Sequence, residues 1–330
     1  MNRKKRILSG MRPTGPLHLG NLHGALANWV EMQHQYECFF FIADWHALTS
    51  DYADTSLMSE YVQNMMIDWL SVGLSPDKST FFVQSHIKEH AELFLILSMI
   101  TPVPWLERNP TYKEQIAQIS DKDLSTLGFL GYPVLQAADI IMYKADGVPV
   151  GIDQVPHVEI TREIARRFNH FYGKVFSEPK AILTKTPKIL GADRRKMSKS
   201  YNNAIYLSDK PDIIASRVAG MITDPQRARK TDAGNPDICN VFEFHKLYSD
   251  SETVNKINNE CRSAQIGCVE CKKIMAQNLI KALEPIRDKR KYYEDRPELV
   301  DAIIADGSNK ARNIAQQTMK EVRSAMKISG

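Results

Sequence analysis

Arg6-Ile7-Leu8-Ser9, then Gly10-Met11-Arg12-Pro13-Thr14-Gly15-Pro16, then Leu22 to His34: the chain opens with a strand, a turn and a helix. The apolar run is short and ends at a glycine and proline cluster, as a strand does. Beyond the turn, Leu22, Leu26, Trp29, Val30 and Gln33 recur at the spacing of one helix face. Phe39-Phe40-Phe41-Ile42-Ala43 is apolar without alternation, the pattern of a strand buried on both faces. Ser56 to Val72 reads as a helix, Ser79-Thr80-Phe81-Phe82-Val83-Gln84 as a strand and Glu89 to Ile100 as a helix. Strands alternating with helices predict a Rossmann-like, doubly wound parallel sheet with crossover helices, an α/β fold.

The second half has a different character. Strand-like runs become scarce after Lys188, and helical patterns cover Pro211–Gly220, Asn240–Tyr248, Ser251–Glu260, Cys271–Tyr293 and Glu298–Lys327. This predicts an α/β domain over 1–190 and an all-helical domain over 191–330, with the last helix packing back on the first domain. The joint falls in Leu190–Asn203, where Gly191, Asp193 and Asn202-Asn203 break the pattern. Two domains suit 330 residues at roughly 100–200 residues each.

Apolar residues make up 43% of the chain and charged residues 25%, a soluble globular mix. No apolar stretch approaches the ~20 residues that span a bilayer. The basic start, Asn2-Arg3-Lys4-Lys5-Arg6, is followed by too short an apolar run for a signal peptide, so a cytosolic location is expected. A net charge of +4 gives no global field for nucleic acid, so any such surface is a local basic patch.

Two stretches suggest phosphate chemistry. Gly10 to Pro16 lies between strand and helix, where glycines admit a phosphate close to the backbone and a helix N-terminus supplies N–H groups. It is neither Gly-x-Gly-x-x-Gly nor a Walker loop, and spacing alone leaves open a plain strand–helix turn. Lys196-Met197-Ser198-Lys199-Ser200 follows Asp193-Arg194-Arg195. As a charge run it reads equally as a basic solvated loop.

The motifs within these stretches say more. Pro16-Leu17-His18-Leu19-Gly20-Asn21 resembles the His-Ile-Gly-His signature of class I aminoacyl-tRNA synthetases, with Leu19 for Ile and Asn21 for the second His. Lys196 to Ser200 matches the second signature of that class letter for letter. The resemblance implies ATP as a substrate, bound by Met11, Arg12, Thr14, His18, Gly20 and Asn21, by Gly151 and Asp153, and by Lys196, Met197, Ser198 and Lys199. It implies catalytic roles for His18, Lys196 and Lys199, the lysines stabilising the pyrophosphate leaving group. Ammonium groups aimed at the β- and γ-phosphates favour the transition state, where charge builds up. Mg²⁺ is expected to bridge the phosphates.

Further segments narrow the family. Asp44-Trp45-His46-Ala47-Leu48-Thr49, Gly131 to Ile140, Val148-Pro149-Val150-Gly151-Ile152-Asp153-Gln154 and Asp306-Gly307-Ser308-Asn309-Lys310-Ala311 together resemble bacterial tryptophanyl-tRNA synthetases, from Ile7 to about Met326. That resemblance makes tRNA(Trp) and L-tryptophan the substrates, a homodimer the assembly and 191–330 the anticodon-binding domain. It assigns Asp139 to the indole N–H, a group that only donates. Tyr132 and Gln154 take the ammonium or carboxylate, and Leu8, His46, Gln136, Val148 and Val150 line the ring pocket. Gln136 stands where family members often have Met. A tyrosyl enzyme, a non-catalytic RNA-binding paralogue and a nucleotidylyltransferase are the competing readings.

Of five cysteines, Cys38 reads as a core thiol, while the rest form Cys239-x21-Cys261-x6-Cys268-x2-Cys271. On one helix Cys261, Cys268 and Cys271 would share a wedge of roughly 80°, although Gly267 stands between them. Four thiols in a cytosolic chain suit Zn²⁺ or an iron–sulfur cluster, and spacing alone leaves open four scattered thiols. The pattern resembles that of the tryptophanyl enzymes with a [4Fe–4S] cluster. Lys272, Lys273, Arg287, Lys289, Arg290 and Lys291 nearby are candidates for tRNA phosphates.

Overall fold

The computed structural model describes residues 4–118, 123–184 and 189–328. Its sheet has five strands: β1 (Arg6–Met11), β2 (Glu37–Ile42), β3 (Ser79–Val83), β4 (Gly147–Val150) and β5 (Lys180–Leu183). All pair in parallel, in the order β3-β2-β1-β4-β5. The order reverses between β1 and β4, and open α/β sheets bind ligands beyond the strand C-termini at such a switch point.

The unbroken apolar run of β2 conceals a period of two. Phe40 and Ile42 join Ile7, Trp29, Trp69 and Phe81 in one core, while Phe39 and Phe41 join Leu8, Phe82 and Tyr143 in the other. Trp29 stacks on Phe40 with ring centroids 4.4 Å apart. A strand whose alternate residues feed two cores must be apolar throughout. Each such ring contributes about 1.5–3 kcal/mol on burial.

The first helix is continuous but irregular: α1 (Leu19–Asn21), a π-helical turn over Leu22–Leu26, then α2 (Ala27–Met32). The helices that follow are α3 (Asp44–Leu48), α4 (Met58–Ser71), α5 (Glu89–Ile100), α6 (Val103–Glu107), α7 (Pro110–Gln118), α8 (Leu127–Met142) and α9 (Val155–Tyr172). The remainder is α10 (Pro211–Ala219), α11 (Asn240–Tyr248), α12 (Ser251–Arg262), α13 (Cys268–Glu294) and α14 (Pro297–Met326). Among the described residues no helix is long and apolar enough to cross a membrane.

The helical half is packed tightly on the sheet half. The Phe40 core continues into Met275, Leu279 and Leu283 of α13 and Ile304 of α14. Arg290 on α13 is buried against Asp68 of α4 and donates to Asn64 Oδ1 at 2.7 Å. Helix α14 crosses β3 and α5, with Arg323 Nε 2.7 Å from Glu92 Oε1.

Gly307 makes that crossing possible, because a Cβ there would lie 1.7 Å from the Phe81 carbonyl oxygen. The obstacle is backbone and cannot rotate away. Gly307→Ala is therefore expected to lower unfolding stability by about 3 kcal/mol or more, read as a lower urea midpoint.

Candidate active site

The carboxyl ends of β1 and β4 open into a cavity of about 500 Å³. Leu8, Gly10 and Arg12 line it from β1 and the turn, Tyr132, Gln136 and Asp139 from α8, and Val148 to Gln154 from β4 and its turn. His46 reaches in from α3. All eight residues expected to hold tryptophan line this one cavity.

Among the described residues Asp139 is its only fully buried carboxylate. Oδ1 lies 2.6 Å from His90 Nδ1, and Oδ2 lies 2.8 Å from His46 Nε2. Gln84 Nε2 donates to both oxygens, at 2.8 and 2.9 Å. Burial alone would raise its pKa, but the two histidines outweigh burial and hold it below the usual carboxylate range. Thus all four acceptor positions of the carboxylate are taken within the protein. Of the three partners only His46 lines the cavity, so it is the one an incoming donor can replace.

Tyr132, beside it, has its hydroxyl 2.9 Å from His157 Nε2, and burial pushes its pKa up. Asp153 is exposed at the cavity mouth and accepts from Gln154 Nε2 at 3.0 Å.

The two signature segments meet at the other side of the first turn. His18 and Tyr206 form an antiparallel bridge, the Leu19 amide donates to Ile205 O at 3.0 Å, and the Leu207 amide donates to Leu17 O at 2.9 Å. The Lys199 ammonium donates to Gly15 O at 2.8 Å. Gly15 has φ +126°, a conformation open to glycine. A Cβ on Gly20 would lie 2.9 Å from the His18 ring.

His18 caps α1. Its Nδ1 accepts from the Asn21 amide at 3.3 Å, and Asn21 Oδ1 accepts from the His18 amide at 3.0 Å. Burial, then Lys199 and Lys196, push the His18 pKa down to about 4, so the ring is neutral. With Nδ1 accepting, its proton sits on Nε2 as a donor. Asn21 in place of His closes this cap and keeps its own amide N–H groups. Burial pushes the Lys199 pKa down to about 8.

Asn203 holds the second signature in shape. Its Oδ1 accepts from the Ser198 amide at 2.8 Å, and its Nδ2 donates to Asp193 Oδ1 at 2.6 Å and Lys196 O at 3.3 Å. Lys196 and Arg195 are exposed, whereas the Met197 side chain is buried with Leu17 and Leu19. Met197 therefore offers a ligand only its main chain. Met11, Arg12 and Thr14 follow one another through the first turn, Arg12 donating to Ser50 Oγ at 3.2 Å. Phe129 and His157 also line the cavity, and no sequence motif points to either. The one signal for His157 is its position three residues after Gln154, on the following helix.

The four clustered cysteines depart from the one-helix expectation. Ala264 adopts φ +57° and Gly267 precedes α13, so Cys261 ends α12 while Cys268 and Cys271 begin α13. The thiols nonetheless converge. Arg227 Nη1 lies 3.8 Å from Cys261 Sγ and 3.9 Å from Cys268 Sγ, and Cys271 Sγ is 3.5 Å from His245 Nε2. Burial pushes the Cys271 pKa up to about 12, and Cys239, Cys261 and Cys268 add to it. Among the described residues no three potential ligands stand close enough for a single metal ion.

This combination of sheet, cavity and paired signatures is that of a nucleotide-dependent ligase of the class I synthetase type, and the chain belongs to the family described as tRNA synthetases class I (W and Y), which matches residues 1–284. Within it, the chain is 53% identical to the tryptophan–tRNA ligase of Thermotoga maritima, over 98% of this chain and 99% of the relative. The ligase of Aquifex aeolicus is 48% identical over 98% of this chain and all of its own length. The tryptophanyl-tRNA synthetase of Campylobacter jejuni, solved with ADP and tryptophan, superposes with a TM-score of 0.90. It is 33% identical and covers 98% of this chain and all of its own.

Proposed function

We infer that this chain is a tryptophan–tRNA ligase whose chemistry runs between the Asp139 cavity and the His18–Lys199 junction. The observation that carries this is the docking of both signature segments around the first turn, next to a cavity closed by one buried carboxylate. The tryptophan carboxylate attacks the α-phosphate of ATP, and pyrophosphate leaves. The terminal ribose hydroxyl of tRNA(Trp) then attacks the adenylate carbonyl, and AMP leaves. Positioning and charge stabilisation supply most of the rate.

In this reading His18 donates Nε2–H to a phosphate oxygen, and Lys196 and Lys199 receive the charge of departing pyrophosphate. Asp153 and Gly151 hold the ribose. Mg²⁺ arrives with ATP, held by phosphates rather than a protein cage. The indole N–H donates to Asp139 Oδ2 in place of His46. A tyrosine phenol also brings an acceptor oxygen, for which an ionised carboxylate offers no donor. Incubated with unfractionated tRNA and ATP, the protein is expected to charge tryptophan to tRNA(Trp) alone. Charging with another amino acid would contradict the reading.

Residues 1–190 form the catalytic domain in this account, and 191–330 the anticodon-binding one. Lys273, Lys289 and Lys291 are exposed on α13 and suit tRNA phosphates, but Arg290 does not, because Asp68 holds it inside. A homodimer is supported by Leu95, Met99 and Val103, which leave an apolar strip exposed on α5 and α6. The cytosol, where tRNA is charged, suits the five free thiols.

For Cys239, Cys261, Cys268 and Cys271 we propose a [4Fe–4S] cluster rather than zinc. They share one locus at the ends of α11, α12 and α13, and their spacing in the sequence is what favours the cluster. Arg227 would offset the negative charge of the thiolates. Bound there, a cluster would cross-link α11, α12 and α13. Protein purified anaerobically is expected to be brown, absorbing broadly near about 400 nm, with four irons per chain. Colourless protein with one zinc would contradict this.

A further inference from the structure

A second cleft, of about 550 Å³, opens at the carboxyl ends of β2 and β3. Asp44 lines it from the start of α3, Val83 and His86 from β3 and the turn after it, and Asn309 and Arg312 from α14. It lies on the same edge of the sheet as the amino-acid cavity. Adjacent strands stand about 4.8 Å apart, so β3 is roughly 10 Å across the sheet from β1. Helix α3 is the wall between the two: Asp44 lines the cleft, and His46 lines the cavity. Asp44 and Asp306 to Ala311 belong to stretches that resemble the family, yet none of them lines the amino-acid cavity.

The polar groups of this cleft are held in place and only partly spent. Arg312 is half-buried, its Nη1 donating to Asn309 Oδ1 at 2.6 Å and its Nη2 to His86 O at 2.9 Å. A guanidinium has five N–H groups, so three remain for a ligand. Asp44 Oδ1 accepts from the Trp45 and Ser85 amides, both at 3.0 Å, while Oδ2 meets no donor among the described residues. A held guanidinium suits a phosphate, and a free carboxylate oxygen suits an amino group such as cytosine N4. The reaction brings a partner with both. Every tRNA ends in the single strand C-C-A. Only the terminal adenosine meets the adenylate, so the cytidines before it must lie along the neighbouring surface. Unpaired base edges of this kind are what proteins read in RNA. We propose that this cleft holds a cytidine of the tRNA 3′ end, with Arg312 on its phosphate and Asp44 Oδ2 accepting from cytosine N4. This rests on the reading that tRNA is charged at the Asp139 cavity.

Asp44→Asn keeps an oxygen for the two amides and turns the free position from an acceptor into a donor, which suits the O4 of uridine instead. The probes are tRNA(Trp) transcripts ending in C-C-A and in U-U-A, each charged with tryptophan. For the native enzyme the KM is expected to be about tenfold or more higher with the U-U-A end. In Asp44→Asn that ratio is expected to fall to within about twofold, or to invert. Arg312→Gln is expected to raise the KM for both ends about fivefold or more and to leave their ratio native. Tryptophan-dependent ATP–pyrophosphate exchange, run without tRNA, is expected to stay within about twofold in both variants. The proposal is overturned if the native enzyme takes both ends alike, if Asp44→Asn keeps the native ratio, or if Arg312→Gln leaves the KM unmoved. It is also overturned if exchange falls as far as charging does, since the two residues would then act on α3 and the amino-acid cavity. A native enzyme that charges no tryptophan to the C-C-A transcript strikes the ligase reading itself; the other contrary results leave that reading standing.

Discussion

Lys199→Ala slows tryptophanyl-adenylate formation by about 10²–10³-fold, the usual loss when one preorganised charge donor is removed from a transition state. Its tryptophan dissociation constant stays within about threefold of native, because the side chain reaches Gly15 and not the amino-acid cavity. Single-turnover formation and equilibrium binding check the two halves separately. The native enzyme carries the same signature in its pH profile. Lys199 is charged below its lowered pKa and loses the proton as pH rises through about 8. The exchange rate at low ATP, which reports the free enzyme, therefore falls through that region, and Lys199→Ala loses this limb.

Asp139→Ala lowers kcat/KM for tryptophan by about 10²-fold or more and relaxes rejection of phenylalanine. A site built around one polar contact rejects an analogue that lacks it, because the buried group is left unpaired. Removing the carboxylate deletes that penalty and the favourable contact together. It also removes the acceptor of Gln84 Nε2 and the partner of His90 Nδ1. Stability therefore falls as well, and the ATP KM distinguishes a folded, unselective enzyme from a collapsed one. Unaltered tryptophan kinetics would remove Asp139 from the site.

The sequence was most legible where periodicity is strong. The Phe39–Ala43 run marked β2, and the long periodic stretches marked α13 and α14 to within a few residues. Strand order was not legible, since register and neighbours depend on crossovers rather than local pattern. Helix α9 and strand β5 lie outside the stretches that the sequence marks; β5 is a half-exposed four-residue edge strand. The turn at Leu22–Leu26 looks like ordinary α-helix in its spacing, and only the backbone shows the wider π turn. Gly267 breaks the helix on which three cysteines would share a face, yet the packing of both α12 and α13 on α11 brings them together again.

Site residues divide in the same way. Those carried by contiguous motifs, such as His18 to Asn21 and Lys196 to Lys199, were visible because the motif is the geometry. Gly307 was visible as part of a similar stretch, but its reason was not: the close approach of α14 to the Phe81 carbonyl exists only in the fold. His157 and Gln84 were invisible because a lone polar residue has no meaning before its partners are placed. Asn203, which shapes the basic loop through three hydrogen bonds, looked like a pattern breaker and is a clamp.

The Asp139 cavity selects the amino acid that is activated. ATP–pyrophosphate exchange, run in parallel with tryptophan and with tyrosine at equal concentration, tests this most directly. Exchange driven by tryptophan, with tyrosine at background, is the predicted result; exchange driven by tyrosine, or by neither, would contradict it.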